Sequence, residues 1–563
     1  MKSLRSVSAF AVFPFSILLI VLAAAQSNPV AYASQANLLL PDAQQPVAGK
    51  AARLGRQLAP AAQKPVKFAK AVAYPTGGFT ADSVAVGDLT GDGHPDLVVS
   101  NYCLNQAKDC VGGVGQVSVL LGNGDGTFQP AVTYDSGGIN AYSVAIADLN
   151  GDGKPDVVVA NFCQDQSCAN GGVTVFLGNG DGTLQPGVSY SAGWEGVVSL
   201  AIGDVNGDGH PDLVVANQCP ACGTGGVSVL LGNGDGTFRA PVTYDSGGIN
   251  AVSVAIGDLN GDGHPDLVVS NYCFVSGGSC TGYSGVSVLL GNGDGTFQAP
   301  ATYNSGGDYV GQVVVGDVNG DAHPDVVVAN ACPNSGCSPN NGVVSVLLGN
   351  GDGTLQPAVS YNSGGYYSSF VAVGDVNGDG HPDVVMTNSY LNSKRTLGGV
   401  SILLGNGDGT FQTPVSCSSG GYYAWSVAIA DMNNDGRPDI AVTNSCTTLR
   451  DCEKNVGVGS VSALLNLLIV TTTTKLTSSP NPSRVNQPVT FTATVTSNPA
   501  IPNGETVTFY NGPTKIGTGS TTSGVATLTT SFSTTGTYTI KASYPGDAFH
   551  KPSSGKVRQV VNP

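Results

Sequence analysis

From about residue 80 to about residue 465, one phrase of apolar and polar residues keeps returning. The copy around Asp148 shows it whole. "SVAIA" leads into an Asp- and Gly-rich loop, "PDVVVANF" and "GGVTVFLG" follow, and the turn "NGDGT" opens the closing run "LQPGVSY". The runs are short, rich in Val, and bounded by Gly, Asn, Asp and Pro, which predicts strands rather than helices. Asn-Gly and Asp-Gly are hairpin signals. The Asp-rich loops begin at Asp88, Asp148, Asp204, Asp258, Asp317, Asp375 and Asp431, 54 to 60 residues apart. Four antiparallel strands recurring seven times at that period describe the blades of a β-propeller.

The ends of the array predict a closed ring. Six units finish with "LGNGDGT" and a further strand, whereas the seventh runs into "VSALLNLLIV" without one. An orphan copy of the missing strand, "KFAKAVAY" at 67–74, stands before the first loop. Its return to the last blade would hide two exposed edges at once. The propeller is therefore expected over 67–470. From Thr471 the vocabulary changes to "PVTFTATVT", "ETVTFYNG", "GVATLTTSF" and "GTYTIKASYPG", alternating patterns of a small cysteine-free β-sandwich over 471–563. The fold class expected is all-β: a seven-bladed propeller closed by an N-terminal strand, then an Ig-like sandwich. Ahead of both, Lys2 and Arg5, an apolar run and "AAAQ" read as a secretory signal over 1–25, with an alternative cleavage after Ala33. Residues 34–66, rich in Ala, Gln and Pro, read as a disordered lead-in. No later segment is long enough to span a bilayer as a helix.

Composition adds an oxidising destination. Twelve of the thirteen cysteines form close pairs, 103/110, 163/168, 219/222, 273/280, 332/337 and 446/452, and Cys417 is left over. The pair at 219/222 is a CxxC, which admits redox or zinc chemistry. Its position between two strands matches the other pairs and favours a small structural disulfide. A formal charge of −16 argues against nucleic acid as a partner.

The same charge points to a cation. Numbered from the first Asp, each loop carries side-chain oxygens at positions 1, 3, 5 and 9, with a backbone carbonyl at position 7. In the first unit these are Asp88, Thr90, Asp92, His94 and Asp96, and in the second Asp148, Asn150, Asp152, Lys154 and Asp156. The third has Asp204, Asn206, Asp208, His210 and Asp212, and the fourth Asp258, Asn260, Asp262, His264 and Asp266. The fifth has Asp317, Asn319, Asp321, His323 and Asp325, and the sixth Asp375, Asn377, Asp379, His381 and Asp383. Asp431, Asn433, Asp435, Arg437 and Asp439 complete the set. Hard oxygens on a flexible acidic loop suit Ca²⁺ better than Mg²⁺ or a softer metal. An EF-hand would need a carboxylate at position 12, where the first loop has Val99 inside a strand. Loop aspartates account for 21 of the 39 acidic residues, and seven Ca²⁺ would bring −16 to −2. Without ions each loop would crowd three carboxylates together.

Gly at positions 4 and 6 is expected at positive φ. Ala322 replaces the second of these in the fifth loop, so site five is expected to be the weakest; Asn434 in the seventh tolerates that region. Five of the six histidines stand at position 7, which raises zinc as an alternative. Lys154 and Arg437 in the same slot assign the role to the carbonyl instead. The "NGDG" aspartates, such as Asp125 and Asp181, are read as turn residues rather than ligands.

These loops, with their "VAVGD…PDLVV" and "VLLGNGDGTF" flanks, resemble FG-GAP/VCBS repeats, the calcium-bound propeller blades also found in integrin α subunits. The resemblance covers about 400 residues, and the tail resembles a bacterial Ig-like domain. It implies Ca²⁺ on the loop Asp and Asn side chains of one face and partner docking on the other. Integrin heads carry extra partner domains that this chain lacks, and such blades also occur in enzymes and lectins.

Strand order puts the acidic loops and "NGDG" turns on one face, and the cysteine-pair loops and "SGG" connections on the other. The second face varies most between units and carries Phe79, Tyr142, Trp194, Tyr309, Tyr366, Tyr367, Tyr422, Tyr423 and Trp425, expected as a surface for sugars or proteins unless they pack between blades. The leading expectation is a secreted, monomeric, calcium-stabilised module binding an extracellular carbohydrate or protein at the cell surface. A polysaccharide-active enzyme and a structural coat protein are the alternatives; no nucleophile–base set or catalytic carboxylate pair stands outside the loops.

Overall fold

A computed structural model describes residues 66–563, except 104–112, 220–223, 277–278, 281–283, 335–336, 338–340, 393, 395–396, 449, 451, 453–457, 468–470, 498–500 and 547–549. The expected signal segment and lead-in lie outside the described residues, as do Cys222 and the side chain of Cys219. Every named element is a strand, and no helix among the described residues is long and apolar enough to cross a membrane. Contacts divide the chain into two compact units, one ending at Asn466 and the other starting at Leu467.

Among the described residues of the first unit the strands form seven four-stranded antiparallel ladders, six built from consecutive runs of one repeat and the seventh completed by residues 72–75. Second strands such as Asp96–Cys103 and Asp266–Cys273 are buried almost throughout, because adjacent ladders cover both their faces. That is why their sequences read as continuous Val/Leu runs rather than alternating ones. Outermost strands such as Val242–Asp245 are exposed at every position but one. Each innermost strand packs against the innermost strands of both neighbouring ladders, the seventh against the first, so the ring closes.

Closure takes the form the repeat ends require. Strand Val72–Gly87 serves two ladders: residues 72–75 pair with Val458–Leu464 of the last repeat, and residues 79–87 pair with Asp96–Cys103 of the first. In six units the hairpin turn is bracketed by a bridge such as Gly122↔Phe128; in the seventh the matching bridge is Phe68↔Asn466. The last blade is thus a hairpin cut at its turn. Its core joins Val84, Leu97 and Val99 to Met432, Ala441 and Val461, residues from opposite ends of the repeat array.

All seven innermost strands carry a bulge, between Ala81 and Ser83 in the first and between Ala424 and Val427 in the seventh. The bulge aims a side-chain acceptor at the next ladder. Val144 N–H donates to Ser83 Oγ at 3.4 Å, Leu200 to Ser143 at 3.3 Å, Val254 to Ser199 at 3.4 Å and Val371 to Gln312 Oε1 at 3.1 Å. Val84 N–H, donating to Ser426 Oγ at 3.3 Å, closes the circle.

Disulfides join Cys163–Cys168, Cys332–Cys337 and Cys446–Cys452, and Cys103 and Cys273 are also disulfide-bonded. Cys417 is free and half-buried, and burial pushes its thiol up to about 11, so it is unreactive at neutral pH. The C-terminal unit is a sandwich. Thr473–Ser479, Val489–Thr496 and Val525–Thr530 form one sheet, and a five-stranded sheet centred on Gly536–Tyr544 forms the other. Phe491, Phe509, Ile540 and Tyr544 fill its core.

Candidate functional site

Each acidic loop links an innermost strand to a second strand and is organised by its first carboxylate. Asp88 Oδ1 accepts the Gly91 N–H at 2.7 Å and Oδ2 accepts the Gly93 N–H at 2.8 Å; Asp92 Oδ1 accepts the His94 N–H at 2.8 Å. The same pattern returns at Asp204, where Gly207 and Gly209 donate at 2.7 and 2.8 Å. Against burial, which acts the other way, these N–H donors hold the Asp88 carboxyl below its ordinary range. The wrapped backbone needs left-handed residues at positions 4 and 6, and Gly91 and Gly93 have φ of 71° and 81°. Ala322 and Asn434 are held at 67° and 55°, so the chain adopts this curl even where glycine is missing.

Position 9 behaves differently from the expected open ligand. Asp96 is buried, and its two oxygens accept the Leu89 N–H at 2.8 Å and the Gly122 N–H at 2.7 Å, stitching the loop to the exit of the third strand. The stitch recurs in every unit, with Asn466 N–H taking the second place against Asp439. Burial pushes Asp383 and Asp439 up to about 7 despite these donors, and the carboxylates at positions 1 and 5 push the same way. Positions 1, 5 and 9 therefore feel one another, although among the described residues no three His, Cys, Asp or Glu side chains are drawn into a metal-holding group.

The donors still fit a hard cation. Position 9 accepts one N–H per oxygen and so does Oδ2 of position 1, which leaves lone pairs there; Oδ1 of Asp88 and of Asp148 already accepts two or more N–H groups, and the rest of the set is amide, hydroxyl or carbonyl oxygen. Among the described loop aspartates, only Asp435 is ion-paired, with Arg437 at 2.8 Å. Asn206, Asn260, Asn319 and Asn377 donate from Nδ2 to the position-5 carboxylate at 2.9 Å, so a cation entering there takes the place of an amide donor.

The position-7 side chains have a packing role. The rings of His94, His210, His264, His323 and His381 each lie on the "NGDG" turn of their own unit, where a Cβ on Gly124, Gly234, Gly293, Gly351 or Gly407 would collide with them. Those turns satisfy themselves: Asp125 Oδ1 accepts the Thr127 N–H at 3.0 Å, and Asn123 Nδ2 donates to Thr127 Oγ1 at 2.9 Å. Two of the turns also rest on the preceding unit's acidic loop. Gly182 N–H donates to Leu89 O at 3.3 Å, and Gly353 N–H to Leu259 O at 3.2 Å. Where the seventh unit lacks a turn, Asn466 Nδ2 reaches Val376 O at 2.6 Å.

On the opposite face, the aromatic surface needs correction. Tyr142 is fully buried, packed edge-on between Tyr102 and Phe162, and the other eight aromatics are half-buried rather than exposed. Two further constellations carry no motif of their own. A buried Asn on every second strand is bonded to a hydroxyl of the third, Asn161 to Thr174 at 3.1 Å and Asn271 to Ser287 at 3.0 Å. Its Cβ stands 2.5–2.6 Å from where a Cβ on the last glycine of "SGG" would lie. Their only sequence signal is the recurrence of "SGG" 25 residues before an Asn, the separation of Ser136 from Asn161. The second constellation is a set of left-handed residues just after "SGG": Thr80, Asn140, Gly196, Asn250, Tyr309, Tyr367 and Tyr423, with φ from 49° to 61°.

Comparison with known proteins agrees with this geometry. Residues 109–159, 162–215, 204–269, 274–328, 334–386 and 390–442 match the FG-GAP-like repeat, and 80–120 and 423–462 match the FG-GAP repeat. Residues 476–562 match the bacterial Ig-like domain, group 3. Similar proteins include human integrin alpha-7, 31% identical over 153 residues (23% of this chain, 12% of the integrin), and mouse integrin alpha-IIb, 29% identical over 218 residues (35% and 20%). Human phosphatidylinositol-glycan-specific phospholipase D is 29% identical over 158 residues (23% and 17%). The chain spans no more than 20% of the length of these relatives.

Proposed function

The chain belongs to the FG-GAP repeat family, and from that premise we propose that it is a secreted, calcium-loaded binding module whose variable face recognises an extracellular carbohydrate or protein. The observation that supports this most is the seven-fold return of one all-oxygen acidic loop, its backbone wrapped by N–H bonds onto the first carboxylate. Asp, Asn or Thr, and Asp at positions 1, 3 and 5, the carbonyl at position 7 and the remaining lone pairs at position 9 would hold Ca²⁺. The ion supplies charge neutralisation and fixes the loop. The chain's own residues then do the rest: position 9 ties the loop to its blade, and the neighbouring "NGDG" turn carries rigidity across the seam.

Disulfides on the opposite face pin connections that differ in every unit, which suits recognition outside the cell. The Ig-like unit acts as a spacer or a second contact. Elemental analysis of the purified chain, with melting curves before and after EGTA, tests the calcium reading: about seven ions and a fall in Tm on chelation are expected, and a metal-free chain with unchanged Tm rejects it. An enzymatic reading has one finding in its favour, the similarity to phosphatidylinositol-glycan-specific phospholipase D. Release of soluble product from a glycolipid or polysaccharide, without stable retention of either, would favour it.

A further inference from the structure

At one register of the ring, just after the connection that reads "SGG" in five units, every unit has a left-handed residue. In units two, three and four it is Asn140, Gly196 and Asn250, types that accept this conformation readily. In units five, six and seven it is Tyr309, Tyr367 and Tyr423, at φ of 54–55°. A bulky side chain with positive φ is a backbone outlier, and here it occurs in three consecutive blades where Asn, Gly or, in the first unit, Thr80 serves elsewhere. Local backbone preference does not select tyrosine at these positions, so the side chain does.

Packing accounts for part of that choice. Tyr309 meets Tyr272 edge-on with ring centroids 5.5 Å apart, and Tyr390 receives Tyr423 at 5.0 Å and Tyr367 at 6.5 Å. Yet all three left-handed tyrosines are only half-buried, and so are Tyr366 and Tyr422, which precede two of them. The stretches 307–310, 365–370 and 421–425 carry one charged side chain, Asp308, whose Oδ1 is occupied by the Ser284 hydroxyl at 2.9 Å and the Tyr309 N–H at 3.1 Å. The surface is aromatic, hydroxyl-bearing and short of free charge, in a chain whose opposite face is crowded with carboxylates. Tyrosine presents a rigid amphipathic face at low entropic cost, and edge-to-face neighbours fix its orientation in advance.

We infer that Tyr309, Tyr367 and Tyr423, with Tyr366 and Tyr422, form an arc on blades five to seven that binds a neutral polysaccharide, the rings lying against apolar sugar faces and the phenol groups bonding sugar hydroxyls. This rests on the ligand-binding reading above and narrows it to one sector of the ring and one ligand class. Within the stretches 307–310, 365–370 and 421–425 a charged ligand would find only Asp308. A linear neutral glycan meets equivalent platforms repeated from blade to blade.

The test is affinity electrophoresis of the full chain, with calcium present, through gels cast with mixed-linkage β-glucan, galactomannan or dextran. Wild type should be retarded by at least one of them, equally at low salt and in 1 M NaCl. The triple variant Tyr309→Asn/Tyr367→Asn/Tyr423→Asn keeps a residue that units two and four already hold in this conformation. It should bind at least about tenfold more weakly, with the Tm no more than a few degrees changed. Failure of all three polysaccharides to retard wild type overturns the proposal, as does retardation abolished by salt or undiminished in the variant. Retention that the variant leaves intact would refute the arc and keep the ligand-binding reading. No retention on these gels or on immobilised extracellular-matrix protein would refute both.

Discussion

Single residues in this ring are constrained by backbone sign and by burial more than by hydrogen-bond inventory. Nothing lies within 4 Å of a Cβ added at Gly263, yet its φ is +83°; Gly248 has an ordinary φ, but its Cβ would fall 2.5 Å from that of Asn271. Gly263→Ala should therefore cost about 1 kcal/mol through strain alone, and Gly248→Ala about 1–3 kcal/mol through overpacking, both read from urea midpoints. Ala322 already carries the first penalty. Ala322→Gly is expected to stabilise the chain by roughly 0.5–1 kcal/mol and to tighten the fifth site in a calcium titration. Asp82 is a different case. It is 2% exposed, its Oδ2 has no hydrogen-bond partner, and burial holds its carboxyl well above the ordinary range beside Tyr102 and Tyr142. A carboxyl raised in the folded state favours folding while protonated and works against it once pH climbs past its unfolded value of about 4. Asp82→Asn should accordingly be more stable than wild type at pH 7, with the difference closing as pH falls toward 4 in paired denaturation curves.

At the scale of the elements, the bulge and the "SGG" corner do the joining. Beside the bulge, Ser199 and its equivalents keep their place in the ladder while their hydroxyls accept the next blade's N–H. Ser199→Ala leaves the Val254 N–H without its acceptor, and a loss of about 0.5–1.5 kcal/mol is expected, measurable as a shift in denaturant midpoint at unchanged slope. The strands were legible beforehand because Val-rich runs between Gly- and Asp-bearing turns have few alternatives. The cysteine pairs 163/168, 332/337 and 446/452 were legible too, from spacing alone. The bulges were not, since "SVAVG" and "SVAIG" read as plain alternation. The fate of the aromatics was equally hidden. Tyr142 lies between Tyr102 and Phe162, which come from two different units, so no local pattern separates it from Trp425, which is half-buried at the same register of the seventh unit.

The molecule as a whole depends on one borrowed strand. Residues 72–75 pair with the last repeat, and the core of that seam mixes residues from both ends of the array. Deleting residues 66–75 removes the cover from the edge of Val458–Leu464. An unpaired apolar edge is a template for other chains, so the truncated protein should self-associate in size-exclusion chromatography. A synthetic peptide of residues 66–78 should return it to the wild-type elution volume.

Period, turn chemistry and carboxylate spacing were written locally, within nine or sixty residues of chain, and these determined the repeat, the all-β class, the acidic loops with their left-handed curl and the split last blade. Tertiary structure alone decided what crosses the seams. Val84 and Ser426 are 342 positions apart when they bond, and Asn434 finds Gly93 O at 3.0 Å from 341 positions away. It also decided that position 9 spends both oxygens on backbone N–H groups, because the second donor, Gly122, arrives from another strand. Such contacts depend on how neighbouring sheets approach, and the period of a single sheet carries no record of that distance.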